Sequence, residues 1–194
     1  MKHAMVIGVC CLAFGAGLVA RQGQGMAPGQ GAAPNLVGEV QRQYTTVSTN
    51  ASKAAEQFPE DKYKWQPTPD VRTWAQLVAH MTDDANGNCW QIAGLTARPA
   101  GVERGTPAPN DVSKADLVTG FKAAIDVCQK AFAAVTPENM LQPSGGRGNA
   151  SKIGQLITIT THANEHYGNM VTYMRLQGLV PPSSQRGGGP AARQ

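Results

Sequence analysis

Charge is scarce in this chain. Only 15% of its 194 residues are charged, and the basic side chains are scattered among acids. A surface that grips nucleic acid gathers Lys and Arg along one face. The net charge of +4 and pI of about 9.0 are therefore a mild bias, with no nucleic-acid or polybasic membrane motif behind it. Strand-like alternation bounded by hairpin turns is missing. The Gly-rich segments sit in loops and the tail without P-loop spacing. There is no Ser-His-Asp set and no Cys-based metal motif. No apolar run reaches the roughly 20 residues of a membrane-spanning helix.

The longest apolar run, Ala4 to Val19, follows a short positive start, Met1-Lys2-His3, and ends in Leu18-Val19-Ala20. That is the pattern of a secretory signal peptide over residues 1–20, cut near Ala20. The competing reading, a retained anchor, requires a longer run. No Gly, Ala or Ser stands just before Cys10-Cys11, which argues against a lipid anchor. Cleavage makes the mature protein periplasmic or extracellular, with no stable membrane association. Cys89 and Cys128 are then its two cysteines. An oxidising compartment lets them pair. Two small buried side chains that never meet fit the sequence equally well.

Residues 21–35 are rich in Gly, Gln, Pro and Ala and read as a flexible leader. Four helical patterns follow over residues 36–180. The first runs from Leu36 to about Phe58, through Val37, Val40, Tyr44, Val47, Ala51, Ala54 and Ala55. A proline-bearing strap, 59–72, leads to Thr73, which with Gln76 forms a capping-box pattern. Trp65 is expected to pack this strap onto the bundle. The second helix runs from Trp74 to about Ala93, with Leu77, Val78, Met81, Ala85, Cys89 and Ile92 on one stripe and Gly94 as its stop. After a polar loop, 95–112, Ser113 and Asp116 open a third helix carrying Leu117, Phe121, Ala124, Cys128, Phe132 and Val135. A hinge-like loop, 143–148, precedes the fourth helix. Asn149 or Ser151 caps that helix, which runs to about Gln177 with Gly178 at its C-cap. Residues 181–194 read as a disordered tail. Four helices with long loops between them make an all-α four-helix bundle.

The chemistry gathers on the last helix. His162 and His166 stand four residues apart, and helix residues at that spacing are neighbours. Two imidazoles so placed can converge on one divalent ion. The third histidine of the mature chain, His80, lies in the second helix beside an acid. The apolar stripe expected on the fourth helix is Ile153, Leu156, Ile157, Asn164, Tyr167, Val171 and Met174. His162 and His166 point elsewhere, towards the side of Gln155, Ile159 and Tyr173. The alternative is three half-exposed surface histidines that share nothing. Asp84, Asn164 and Glu165 are candidates to orient a ligand histidine. Tyr167 and Tyr173 read as packing residues, and Arg175 as a charge at the helix C-terminus.

Trp74-Ala75-Gln76-Leu77-Val78-Ala79-His80-Met81-Thr82-Asp83 resembles the second-helix signature of DinB-like (DinB/YfiT-like) proteins. The stretch His162-Ala163-Asn164-Glu165-His166-Tyr167-Gly168-Asn169-Met170-Val171-Thr172-Tyr173-Met174-Arg175, followed by Gly178 and Pro181-Pro182-Ser183, resembles their fourth-helix signature. The resemblance spans about residues 36–185. It implies a four-helix bundle holding a divalent metal by one histidine of the second helix and two of the fourth, here His80, His162 and His166. Family members include metal-dependent thiol transferases and isomerases, and many others have no known reaction. The export signal is a departure, because the thiol-using relatives are cytosolic and such thiols are scarce outside the cytoplasm.

Zinc or nickel is the expected ion, and iron or manganese also suits imidazole ligands. The expected function is a metal-dependent hydrolase or transferase acting on a small molecule. The alternative is a bundle that binds metal or ligand without turnover. A bundle of this size can also pair as a homodimer.

Overall fold

In the computed structural model, residues 35–103, 105 and 107–185 are described. The signal segment, nearly all of the leader and the tail beyond residue 185 lie outside them. Four helices dominate: α1 Leu36–Gln57, α2 Trp74–Cys89, α3 Lys114–Ala133 and α4 Lys152–Leu176. There is no strand among the described residues, and a single isolated bridge joins Pro143 and Ser151. The architecture is the expected all-α four-helix bundle.

The first turn of a helix leaves backbone N–H groups without partners, and a capping side chain satisfies some of them. Asn35 Oδ1 accepts from Gly38 N at 2.7 Å, Ser113 Oγ from Asp116 N at 3.1 Å and Ser151 Oγ from Gly154 N at 3.2 Å. Ser151, not Asn149, is therefore the cap of α4. Thr73 and Gln76 close a reciprocal capping box at the start of α2. At the end of α4, Leu179 N reaches Met174 O and Gly178 N reaches Arg175 O, with Gly178 at φ +73°. That pair of bonds satisfies the last carbonyls and requires the left-handed conformation glycine adopts easily. α2 stops at Cys89 rather than Ala93. Its course continues as turns through Ala93, and Leu95 N then closes onto Trp90 O around the left-handed Gly94.

α2 packs on α3 and α4, and α1 packs on the same two helices. Helices consecutive in the chain, α1–α2 and α3–α4, thus lie across the bundle, and long connections join them. The stripes expected on α1, α2 and α3 are buried, except that Leu36 is exposed. Phe58 stacks on Trp74 at 3.7 Å where the strap leaves α1, and Trp65 meets the edge of Tyr173 at 5.7 Å. Cys89 and Cys128 form a disulfide between α2 and α3, with Cα atoms 4.9 Å apart. That spacing lies within the range a disulfide can bridge.

Three expectations need correction. On α4, Ile157 and Asn164 are exposed and Val171 is half-buried, whereas Ile159, Ala163, Met170 and Tyr173 are core. α4 wedges between α1 and α2, so a broad arc is covered. That arc includes the polar Gln155, Thr160 and His166, which obscure its apolar period. The loop 143–148 is not a hinge: Ser144 N donates to Ala150 O and Lys152 N to Gln142 O, both at 2.9 Å. The start of the expected tail is structured. Pro182–Ser184 forms a 3-10 turn, Pro181 and Pro182 are buried, and Ser183 N donates to the Tyr167 hydroxyl. No helix among the described residues is long and apolar enough to cross a membrane.

Candidate metal centre

α2 and α4 pack side by side, and this brings His80 against His162 and His166. The Nε2 atoms of His162 and His166 are 3.0 Å apart, and those of His80 and His162 are 3.3 Å apart. One ligand nitrogen from each ring lies within 4.8 Å of the others. Three Zn–N bonds of about 2.0–2.1 Å in tetrahedral geometry hold their nitrogens roughly 3.3–3.4 Å apart. The cluster is close to that size. The alternative of three unrelated surface histidines is excluded by these distances.

Each ring turns its Nδ1 away from the cluster and onto a partner. His162 Nδ1 lies 2.8 Å from Asp84 Oδ2, His80 Nδ1 lies 3.0 Å from Glu103 Oε1, and His166 Nδ1 lies 3.2 Å from the Asn169 amide. An imidazole that donates Nδ1–H to a carboxylate keeps its lone pair on Nε2. At His166 the facing atom is Asn169 Nδ2, and turning that amide over presents its oxygen to an Nδ1–H instead. With all three rings in the Nδ1–H tautomer, three lone pairs face one another. They repel unless something electron-poor lies between them, and a divalent cation fits that donor set.

A further tier holds the carboxylates. Asp84 Oδ1 accepts from Asn88 Nδ2 at 2.8 Å, and Asn88 Oδ1 accepts from Gln155 Nε2 of α4. Gln155 is buried, which explains a polar residue on the covered arc of α4. Arg72 Nη2 sits 3.3 Å from Glu103 Oε1, and the Tyr173 hydroxyl donates to Arg72 O at 2.8 Å.

The electrostatics favour a neutral His166. His166 is only 6% exposed. Burial, reinforced by the charges of His162, His80 and Arg72, lowers its pKa to about 4. It is unprotonated at neutral pH, as a ligand must be. For Asp84 burial raises the pKa, and this outweighs the lowering by His162, His80 and Asn88. For Glu103 burial also acts upward, but hydrogen bonds and charges from His80 and Arg72 prevail and the net shift is downward.

The three histidines thus come together, and Asp84 lies against one of them. Asn164 and Glu165 do not: both are exposed, and the Asn164 amide donates to Thr160 O. Glu103 and Asn169 lie instead against Nδ1 of His80 and His166. Asn169 stands three residues after His166 on the same helix, a spacing that signals contact. Glu103 arrives from the loop between α2 and α3, where no periodicity marks it.

A family model described as the DinB superfamily matches residues 43–170. The chain belongs to the DinB superfamily. No curated protein matches it. In this DinB-superfamily bundle one histidine of the cluster, His166, lines a cavity of about 640 Å³. Arg72, Gln76, Glu103, His166, Asn169 and Tyr173 are among its lining residues. A cavity of this volume admits a small molecule. A second cavity, of about 500 Å³, lies between α1 and α4 and touches none of the three histidines.

Proposed function

We propose that this chain is an exported divalent-metal protein that acts as a hydrolase or transferase on a small molecule. His80, His162 and His166 are the metal ligands in this reading. The observation that carries it is the convergence of three Nε2 atoms while each Nδ1 is held from outside. A divalent ion held by these three imidazoles would supply Lewis-acid chemistry, polarising a carbonyl or thiol or lowering the pKa of a bound water. The Asp84 and Glu103 carboxylates lie against Nδ1 of His162 and His80, where each would favour the Nδ1–H tautomer. The Tyr173 hydroxyl fixes the backbone at Arg72 and so places a guanidinium in the cavity beside the rings. The chemistry of the donor set suits zinc or nickel first, with iron and manganese as further candidates.

Export is supported by two features. The first twenty residues have the pattern of a signal peptide, and the Cys89–Cys128 disulfide suits an oxidising compartment. Low-molecular-weight thiols are scarce there, which favours hydrolysis or transfer of another group over thiol transfer.

The test is metal analysis of the mature protein beside His162→Ala. About one divalent ion per chain in the wild type, and loss of it in the variant, is the expected result. Equal metal content in both removes the ligand assignment. A second reading, binding without turnover, is favoured by one observation. The two carboxylates nearest the rings, Asp84 and Glu103, are already engaged with Nδ1 atoms and are not poised as a base.

A further inference from the structure

Asp83 and Asp84 are neighbours on α2, about 100° apart around the helix axis. Asp84 meets His162 directly. Asp83 touches no histidine among its hydrogen bonds. Its carboxylate is nearly buried, at 9% exposure, and accepts two consecutive backbone amides of the loop between α2 and α3. Val102 N donates to Oδ1 at 2.7 Å and Glu103 N to Oδ2 at 3.0 Å. Arg98, from the same loop, donates Nη2 to the Asp83 carbonyl at 2.8 Å. The loop comes so close that a Cβ on Gly101 would stand 2.6 Å from Asp83 Cγ, inside contact distance.

The second amide held this way belongs to Glu103, and Glu103 is the residue whose side chain reaches His80 Nδ1 at 3.0 Å. We infer that Asp83 is a positioning residue for the three-histidine centre, acting on His80 through the 101–103 loop and Glu103. The inference rests on the metal reading above and names how one of its ligands is aimed. Between Leu95 and Ala108 the loop has no helix or strand among its described residues. A side chain on such a segment orients a ligand only if its backbone is fixed. Asp83 supplies that fixation from the helix that carries His80, three residues away. The adjacent acids thus serve two ligands on two helices, one through space and one through a loop.

The test uses the mature full-length protein and Zn²⁺, with affinity measured by competition against a chromophoric chelator. Asp83→Asn keeps the size but replaces an acceptor oxygen with an NH₂ facing a backbone N–H. It should weaken Zn²⁺ binding by about 10-fold or more, within the roughly 10–100-fold range that outer partners of metal ligands carry. Glu103→Gln should weaken binding within the same range. The double variant should bind no more weakly than Glu103→Gln alone, because both changes act through one contact. Gly101→Ala, which pushes the loop off Asp83 without altering a charge, should reproduce Asp83→Asn and serves if that variant does not fold.

Wild-type affinity in Asp83→Asn and Gly101→Ala would overturn the inference. So would losses that add fully to that of Glu103→Gln, since a general structural effect would not depend on Glu103. A wild-type protein that takes up no Zn²⁺ in the same titration would overturn the metal reading, and this inference with it.

Discussion

The two faces of α2 differ in kind. On one, Trp74, Leu77, Val78, Met81, Ala85 and Cys89 are buried against the core, and Cys89 is bonded to α3. On the other, His80, Asp83, Asp84 and Asn88 each find a polar partner: Glu103, the 102–103 amides, His162 and Gln155. The apolar face decides where the helix stands. The polar face decides what can be held beside it. Burial is non-directional and scales with area, so the first face depends on volume. Ligand support depends on direction, so the second depends on particular atoms.

If that contrast holds, changes on the two faces separate stability from metal binding. The largest expected effect on the polar side is His162→Ala, which removes a ligand outright. It should abolish metal uptake, a loss beyond the roughly 10–100-fold carried by outer partners, while the thermal midpoint of the metal-free protein stays near wild type. Trp74 is fully buried. Trp74→Ala should cost about 3–5 kcal/mol in denaturant unfolding, and folded protein should still bind metal. Loss of the disulfide in a Cys89→Ala/Cys128→Ala double variant should cost about 2–4 kcal/mol with unchanged metal content. Asp84→Asn should behave in the opposite way, with affinity down about 10–100-fold and little change in unfolding. An Asp84→Asn protein as unstable as the disulfide variant would break the contrast.

The smallest effect is in pH. Burial holds the pKa of His166 at about 4, below its ordinary 6.5, so the unfolded chain takes up its proton first as pH falls. The contribution of His166 to the stability of the metal-free protein should be full above about pH 6.5 and decline towards pH 4. His166→Gln should flatten that part of the unfolding profile measured against pH. An unchanged profile would show that His166 does not carry it.

How much of this was legible in the chain follows the same division. Thr73 with Gln76 and Ser113 with Asp116 announce their helix starts because capping is local. The stripes of α1, α2 and α3 are legible because each faces the core with one apolar side. α4 misleads. Its covered arc carries Gln155, Thr160 and His166, whose burial is explained by partners on other elements. The three histidines stand out because so few occur in the chain. Asp84 was within reach, being one turn from His80. Glu103 was not, since it reaches the ring from a loop whose course is set by tertiary contacts such as that of its amide with Asp83. The disulfide stayed open for a related reason: the 4.9 Å between its Cα atoms is set by helix packing, which no spacing in the chain encodes.

The central claim is that helices α2 and α4 aim three imidazole nitrogens at one divalent ion. X-ray absorption of the zinc-loaded mature protein tests it most directly. The account predicts three imidazole nitrogens at about 2.0–2.1 Å and no sulfur in the first shell. A shell with two imidazoles, or a spectrum unchanged by His80→Ala, would contradict it.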